Sequence, residues 1–344
     1  MDKRVVFAVA GSGKTTLILS KLDLERRSLI ITYTVNNVEN LRNGIIRKFG
    51  YFPANIKLMS YFNFLYGFCF RPFLAFEYKA RGINWNINPN QFAKDDARYI
   101  DSNRRLYSNR LAKFLEKSTV LKAINLRIEK YYDYILFDEI QDLAGHDFNL
   151  LKSIAKSKLN MLCVGDFFQH TFDTGRDGSV NRKLHDDYYA YQRLFKDMGL
   201  IVDTTSLVKS YRCSPEVCEF VSKEIGIDIQ SQRTDQTHVE VIDDEETALN
   251  IYLDDSVVKL FYMDQRKYSC FAKNWGETKG EDRYRNVCVV LNEKSWKILK
   301  NGKLEELAPT TKNKFYVACT RAKGNLYLVS EAHYKLFKKG KKSQ

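Results

Sequence analysis

Lys14 and Thr15 stand directly behind the glycines of "AVAGSGKTT" (8–16), and Asp138 and Glu139 close the apolar run "YDYILFDE" (132–139). A lysine and a hydroxyl after a glycine-rich turn suit the phosphates of a nucleoside triphosphate. Gly11 and Gly13 reach backbone angles that other residues resist, so successive N–H groups of Ala10, Gly11, Ser12 and Gly13 can point at phosphate oxygens. The positive end of a following helix, opened by Lys14, Thr15 and Thr16, adds to that field. In this chemistry Lys14 reaches the β- and γ-phosphates, and the Thr15 hydroxyl binds Mg²⁺. Ala8 occupies the place of the first glycine in the strict G-x-x-x-x-G-K-[ST] pattern. At the second stretch, Asp138 suits a Mg²⁺ ligand and Glu139 suits the base that orients and deprotonates an attacking water. Two adjacent acids can also simply open a helix.

Such groups need a frame that brings distant positions together. Residues 4–9 read as a buried strand and 14–22 as a helix, so the glycines fall at a strand-to-helix junction. The alternation continues with a strand at 28–34, a helix at 36–49 and a strand at 56–59 leading into an aromatic helix. Pro72, Gly82 and Pro89 make 71–95 read as irregular, and 96–130 as helical and basic. A new strand begins near Leu200, and "NVCVVL" (286–291) and "NLYLVS" (325–330) are further strands. This predicts an α/β chain of mostly parallel sheets flanked by helices. In such sheets ligands lie beyond the carboxyl ends of the strands, which turns Asp138 toward the phosphate loop.

Bulk properties narrow the partners. The 344 residues carry a net charge of +13, and residues 66–130 hold 13 basic against 6 acidic side chains. A positive field of that kind attracts a polyanion. On a single strand, affinity would fall with salt at a log–log slope of about −0.7 per phosphate neutralised. The acidic stretch 243–255 reads as a solvated face. Seven cysteines without a C-x-x-C pair read as reduced core residues. With no run of roughly 20 apolar residues and no secretory leader pattern, a soluble, cytoplasmic protein without membrane partners is expected.

The stretches "AGSGKTT", "DEIQD", "VGDFFQ" (164–169), "SYRCSPEV" (210–217), "ETKGED" (277–282) and "YVACTRAK" (316–323) resemble, in order, the signature motifs of the UvrD/Rep-like superfamily 1 helicases. The resemblance implies two RecA-like P-loop NTPase domains that hold ATP and Mg²⁺ between them, at 1–199 and 200–344. A small helical, basic insertion would occupy about 66–130 of the first. It further implies that Gln169 senses the γ-phosphate, that Arg212 and Arg321 extend toward it, and that Glu281 contacts the nucleotide sugar. A guanidinium can stabilise charge on a transferring phosphoryl group; Arg212 could also pair with an acid, and Arg321 could lie along a helix. For single-stranded DNA, "TYTVNN" (32–37) and "SYFNF" (60–64) occupy the positions of contacting motifs, with Tyr33, Thr34, Asn36 and Ser60 as candidates. Phe62, Phe64 and Phe172 are candidates for stacking on bases, with core packing the alternative for each.

Three departures accompany the resemblance. The glutamine-containing adenine-reading segment has no counterpart ahead of the first strand, which leaves fuel other than ATP open. Thr174 stands where the family has a tryptophan that stacks on a base, and Phe172 is the nearest ring. The interval from Arg212 to Thr278 is too short for the large accessory domain. The expected function is an ATP-dependent translocase or helicase on single-stranded DNA or a tailed duplex. The alternative is a DNA-sensing regulatory ATPase acting with a nuclease or other effector, without unwinding.

Overall fold

The computed structural model of the chain describes residues 2–171 and 178–338. These fall into two units, one of residues 2–7, 14–165 and 178–203 and the other of 8–13, 166–171 and 204–338.

The first unit is built on a parallel sheet of β1 (Lys3–Phe7), β2 (Ser28–Thr32), β3 (Ile56–Ser60), β4 (Tyr134–Phe137), β5 (Asn160–Gly165) and β6 (Ile201–Asp203), in the order β3-β2-β4-β5-β1-β6. Every residue of β2 and β4 is buried, as strands covered on both faces must be. The expected first strand is two residues too long. It stops at Phe7, because the Val9 N–H leaves the sheet and bonds to the Leu207 carbonyl at 3.0 Å. At the end of β5 only a glycine fits. A Cβ on Gly165 would stand 2.7 Å from Ile140 Cγ2 and 3.0 Å from the Ile140 nitrogen.

The segments after β2 and β3 begin with side-chain caps. Thr34 Oγ1 accepts from the Asn37 N–H at 3.2 Å to open the helix Val35–Phe49, and Gly50 at φ 80° ends it. Ser60 caps Tyr61–Asn63, which runs through a π-helical stretch, Phe64–Phe70, into the helix Arg71–Tyr78. The irregular segment expected from residue 71 therefore starts later. Pro72 lies in the first turn of its helix, where a missing donor is tolerated. The insertion is also less purely helical than expected. Gly82–Asn84 pairs in parallel with Arg105–Tyr107, between the helices Asp95–Tyr99, Leu111–Lys117 and Leu121–Tyr131. Phe114 anchors it, stacked on Tyr99 at 4.7 Å and edge-on to Tyr78 at 4.8 Å.

The second unit holds a parallel sheet of β7 (Val239–Ile242), β8 (Val257–Phe261), β9 (Ala272–Asn274), β10 (Asn286–Leu291) and β11 (Leu326–Ser330), in the order β7-β11-β10-β8-β9. Its helix Pro309–Cys319 buries Phe315, Tyr316, Val317, Ala318 and Cys319 in succession, so its C-terminal half is enclosed on all sides while its start is exposed. Trp275 is fully buried, and its indole N–H donates to the Leu260 carbonyl at 2.8 Å. The acidic stretch has a structural use. Asp244 caps the helix Glu245–Leu253 by accepting from the Thr247 N–H at 2.7 Å, and Glu245 and Glu246 occupy its positive first turn. All seven cysteines are free thiols, and every one but Cys270 is buried. Among the described residues no helix is long and apolar enough to cross a membrane.

Candidate nucleotide and nucleic-acid site

In the first unit, the carboxyl ends of β2 and β4 meet. Thr32 Oγ1 donates to Asp138 Oδ2 at 3.3 Å, and both acids after β4 are buried. Glu139 adopts left-handed backbone angles, φ 55° and ψ 48°, rare for a residue with a side chain and costing on the order of 1–3 kcal/mol. The conformation persists because the carboxylate is held from two sides. Gln141 Nε2 donates to Oε2 at 2.6 Å, and Asn37 Nδ2 donates to Oε1 at 3.4 Å. Lys79, Asp95, Arg104, Thr119, Asn181 and Asp264 also have positive φ, so what sets Glu139 apart is its burial and its two amide donors.

Burial, and then the neighbouring charge of Glu139, push the Asp138 carboxyl up to about 7, with Lys14 partly opposing them. Lys14 offsets the negative charge of the pair only in part. A divalent cation would offset the remainder, and a carboxylate and a hydroxyl, such as Asp138 and Thr15 carry, are oxygen donors of the kind it takes. A carboxyl raised in this way binds its proton more readily folded than unfolded. The stability it contributes is therefore full below about pH 4 and is lost as pH rises toward about 7. In chelator, the melting temperature should fall more steeply from pH 5 to pH 8 in the wild type than in Asp138→Asn. Parallel pH profiles would refute the assignment.

In the second unit, the phosphate loop is held by side chains and backbone far along the chain. The Tyr211 N–H donates to the Gly11 carbonyl at 2.9 Å, and the Ala10 N–H donates to Tyr316 Oη at 2.9 Å. Ser12 Oγ turns inward to the Val9 carbonyl at 2.8 Å. Gly11 and Gly13 take φ values of 69° and 94°, as the loop chemistry requires. A Cβ on Gly11 would lie 2.6 Å from Arg212 Cβ and 2.9 Å from Ser210 Oγ. Gly11→Ala should consequently cost on the order of 1–3 kcal/mol and weaken nucleotide binding. Thermal unfolding and a fluorescent-nucleotide titration check this, and an unchanged melting temperature would contradict it.

Gln169 is buried on the short turn Phe167–Gln169, where its Nε2 donates to Asp166 Oδ2 at 2.9 Å. Tyr316 Oη donates to the same oxygen at 3.0 Å, and burial pushes that phenol far above its usual range. Arg212 Nε bonds to Asp282 Oδ1 at 2.7 Å, so the pairing with an acid left open by the sequence is present. Partial burial works against ionisation of Asp282, but Arg212 and Lys323 hold its carboxyl below the usual range. Arg321 is enclosed. Nε donates to the Val317 carbonyl at 3.1 Å, and Nη1 to those of Thr278 and Glu281 at 3.3 and 2.9 Å. The Glu281 carboxylate accepts from the Tyr284 hydroxyl and lies 3.5 Å from Lys273 Nζ. A hollow of about 740 Å³ in the second unit is lined by Arg233, Arg283, Arg285 and Lys323 together with Asp235, which pairs with Arg233.

The nucleic-acid candidates separate. Thr34 and Ser60 are helix caps at the carboxyl ends of β2 and β3. Tyr33 stacks on Tyr61 with centroids 6.1 Å apart and meets Phe62 edge-on at 5.7 Å. Asn36 is exposed, whereas its neighbour Asn37 is buried against Glu139. Phe64 is withdrawn as a stacking residue. It is fully buried and stacked on Phe68 at 5.7 Å, so it offers no face to a base. Phe172 and Thr174 lie outside the described residues. Sequence reasoning missed Asn37, Gln141 and Tyr316, although each lies within a stretch that was singled out.

The sequence profile of the viral superfamily 1 RNA helicase core domain matches residues 90–330. A solved structure of Arterivirus nonstructural protein 10 (helicase) is similar with a TM-score of 0.51 at 12% identity, over 97% of this chain and 62% of that one. The complex of the Arterivirus protein with DNA is similar with a TM-score of 0.50 at 12% identity, over 95% and 60%. The chain thus spans less than two thirds of those proteins, and at that identity the likeness bears on the fold. No curated protein matches the sequence. The resemblance read from the motifs holds at the level of superfamily 1, and the matching profile is that of the viral RNA branch.

Proposed function

The chain belongs to the viral superfamily 1 RNA helicases, and from that membership we propose that it is a motor coupling hydrolysis of ATP or another nucleoside triphosphate to movement along a single strand of nucleic acid. The observation that carries the reading is Glu139, buried in a left-handed conformation and gripped by Asn37 and Gln141 beside Asp138.

In this reading the loop amides and Lys14 bind the β- and γ-phosphates, and Glu139 orients the attacking water and takes its proton. Asn37 and Gln141 aim the carboxylate by donating to both its oxygens. Thr15 and Asp138 would hold Mg²⁺, which when bound neutralises charge on the phosphate oxygens. Arg212 and Arg321 stabilise the charge that develops on the transferring phosphoryl group, and Glu281 binds the sugar. Gln169 responds to the γ-phosphate. Tyr33, Thr34, Asn36, Ser60 and Phe62 form the track for the strand.

The UvrD/Rep-like resemblance points to DNA as the polymer and the family description to RNA, so the test uses both. Steady-state hydrolysis should rise on adding oligouridine or oligothymidine at low salt, and its absence with both would overturn the motor reading. The stronger stimulant identifies the polymer. Displacement of streptavidin from one end only of a biotinylated strand is expected of a translocase. Stimulated hydrolysis without displacement from either end would instead favour a regulatory ATPase acting with an effector.

A further inference from the structure

The insertion exposes an indole where the proposed track ends. Trp85 follows directly on the strand Gly82–Asn84 and is 63% exposed. It does not stand alone. Its ring meets Phe62 edge-on at 4.7 Å, Phe62 meets Tyr33 edge-on at 5.7 Å, and Tyr33 stacks on the buried Tyr61. Tyr61 also meets Phe62 edge-on at 5.9 Å, so the rings form a connected group that runs from the core outward to Trp85, beside the Thr34 and Ser60 caps.

An edge-to-face contact fixes the orientation of a ring while leaving its other surface open. The result is a braced apolar platform with little rotamer freedom to lose on binding. Its electrostatic setting excludes most apolar partners, since the surrounding 66–130 segment holds 13 basic and 6 acidic residues. Arg81, just ahead of the strand Gly82–Asn84, is exposed, as is Arg105 on the paired strand, where its Nε donates to Asp101 Oδ2 at 2.9 Å. A ligand with flat apolar faces joined by negative charges satisfies both conditions, and a single strand of nucleic acid is that ligand.

We propose that Trp85 is a base-stacking residue that extends the nucleic-acid track from Phe62 onto the insertion. The proposal rests on the single-strand reading above. It adds a residue that none of the motifs contains.

Tryptophan fluorescence reads the contact directly. The chain has three tryptophans, of which Trp275 is fully buried and Trp296 is partly buried, both in the second unit. Titrating the full chain with oligouridine or oligothymidine should quench the emission, and Trp85→Phe should abolish the quenching while binding, followed by anisotropy of a labelled oligomer, is largely kept. Trp85→Ala should weaken binding about 5- to 140-fold, the range for loss of one stacked base. Hydrolysis without nucleic acid should be unchanged in both variants, because the ring lies outside the nucleotide machinery. If the labelled oligomer binds the wild type but Trp85→Ala binds it equally well, or quenching survives in Trp85→Phe, the stacking role is overturned and the motor reading stands. If neither oligomer binds the wild type at low salt, both fall.

Discussion

Glu139→Gln is expected to lower turnover about 100- to 10,000-fold, the usual contribution of a positioned general base, while nucleotide affinity changes little. The substitution keeps the length and shape of the side chain but removes its ability to take a proton. It also disturbs the grip on the group. Asn37 and Gln141 are both donors to the carboxylate, and an amide offers one oxygen where two now accept. The strained backbone at this position is unaffected by the exchange, so the chain should fold. Single-turnover hydrolysis and a fluorescent-nucleotide titration separate the two quantities. Hydrolysis within tenfold of the wild type would overturn the assignment of the base.

The second large effect distinguishes two arginines that the sequence could not tell apart. Arg212→Ala should reduce kcat about 1,000-fold or more, as loss of a guanidinium at a transferring phosphoryl group does elsewhere, with a small change in melting temperature. Its partner Asp282 is more than half exposed and keeps Lys323 at 3.4 Å, so no buried charge is left alone. Arg321→Ala should lose activity and stability together. Its guanidinium serves the carbonyls of Val317, Thr278 and Glu281 in a buried setting, and each buried group left without a partner costs about 1–3 kcal/mol. Thermal unfolding beside steady-state kinetics tests the contrast. Activity of Arg212→Ala within threefold of the wild type would remove it from the machinery.

How much was legible follows from the range of each interaction. The strands β2, β4 and β10 were readable because continuous apolar runs admit few other uses in a chain of this kind. The glycine loop and the Asp138–Glu139 pair were readable because their chemistry is carried by neighbours in sequence. What could not be read depends on long-range contact. Asn36 rather than Asn37 was singled out, since only the helix phase set by the Thr34 cap decides which of the two points at Glu139. Phe64 and Phe62 look alike in "SYFNF", yet one is sealed in the core and the other belongs to the row of rings ending at Trp85. The π-helical stretch Phe64–Phe70 obeys no hydrophobic period that would announce it. The strand Arg105–Tyr107 lies inside a stretch that reads as helix, because three residues are too few to show alternation.

The phenol of Tyr316 has an implication beyond holding the loop. It receives the Ala10 N–H and gives its own proton to Asp166 Oδ2, the same oxygen on which the Gln169 amide rests. The Ala10 amide is thus spent on the phenol rather than turned toward a phosphate, and one oxygen of Asp166 anchors both that phenol and the Gln169 amide. A substitution at Asp166 would therefore release the loop's support and the glutamine's tether at a single stroke.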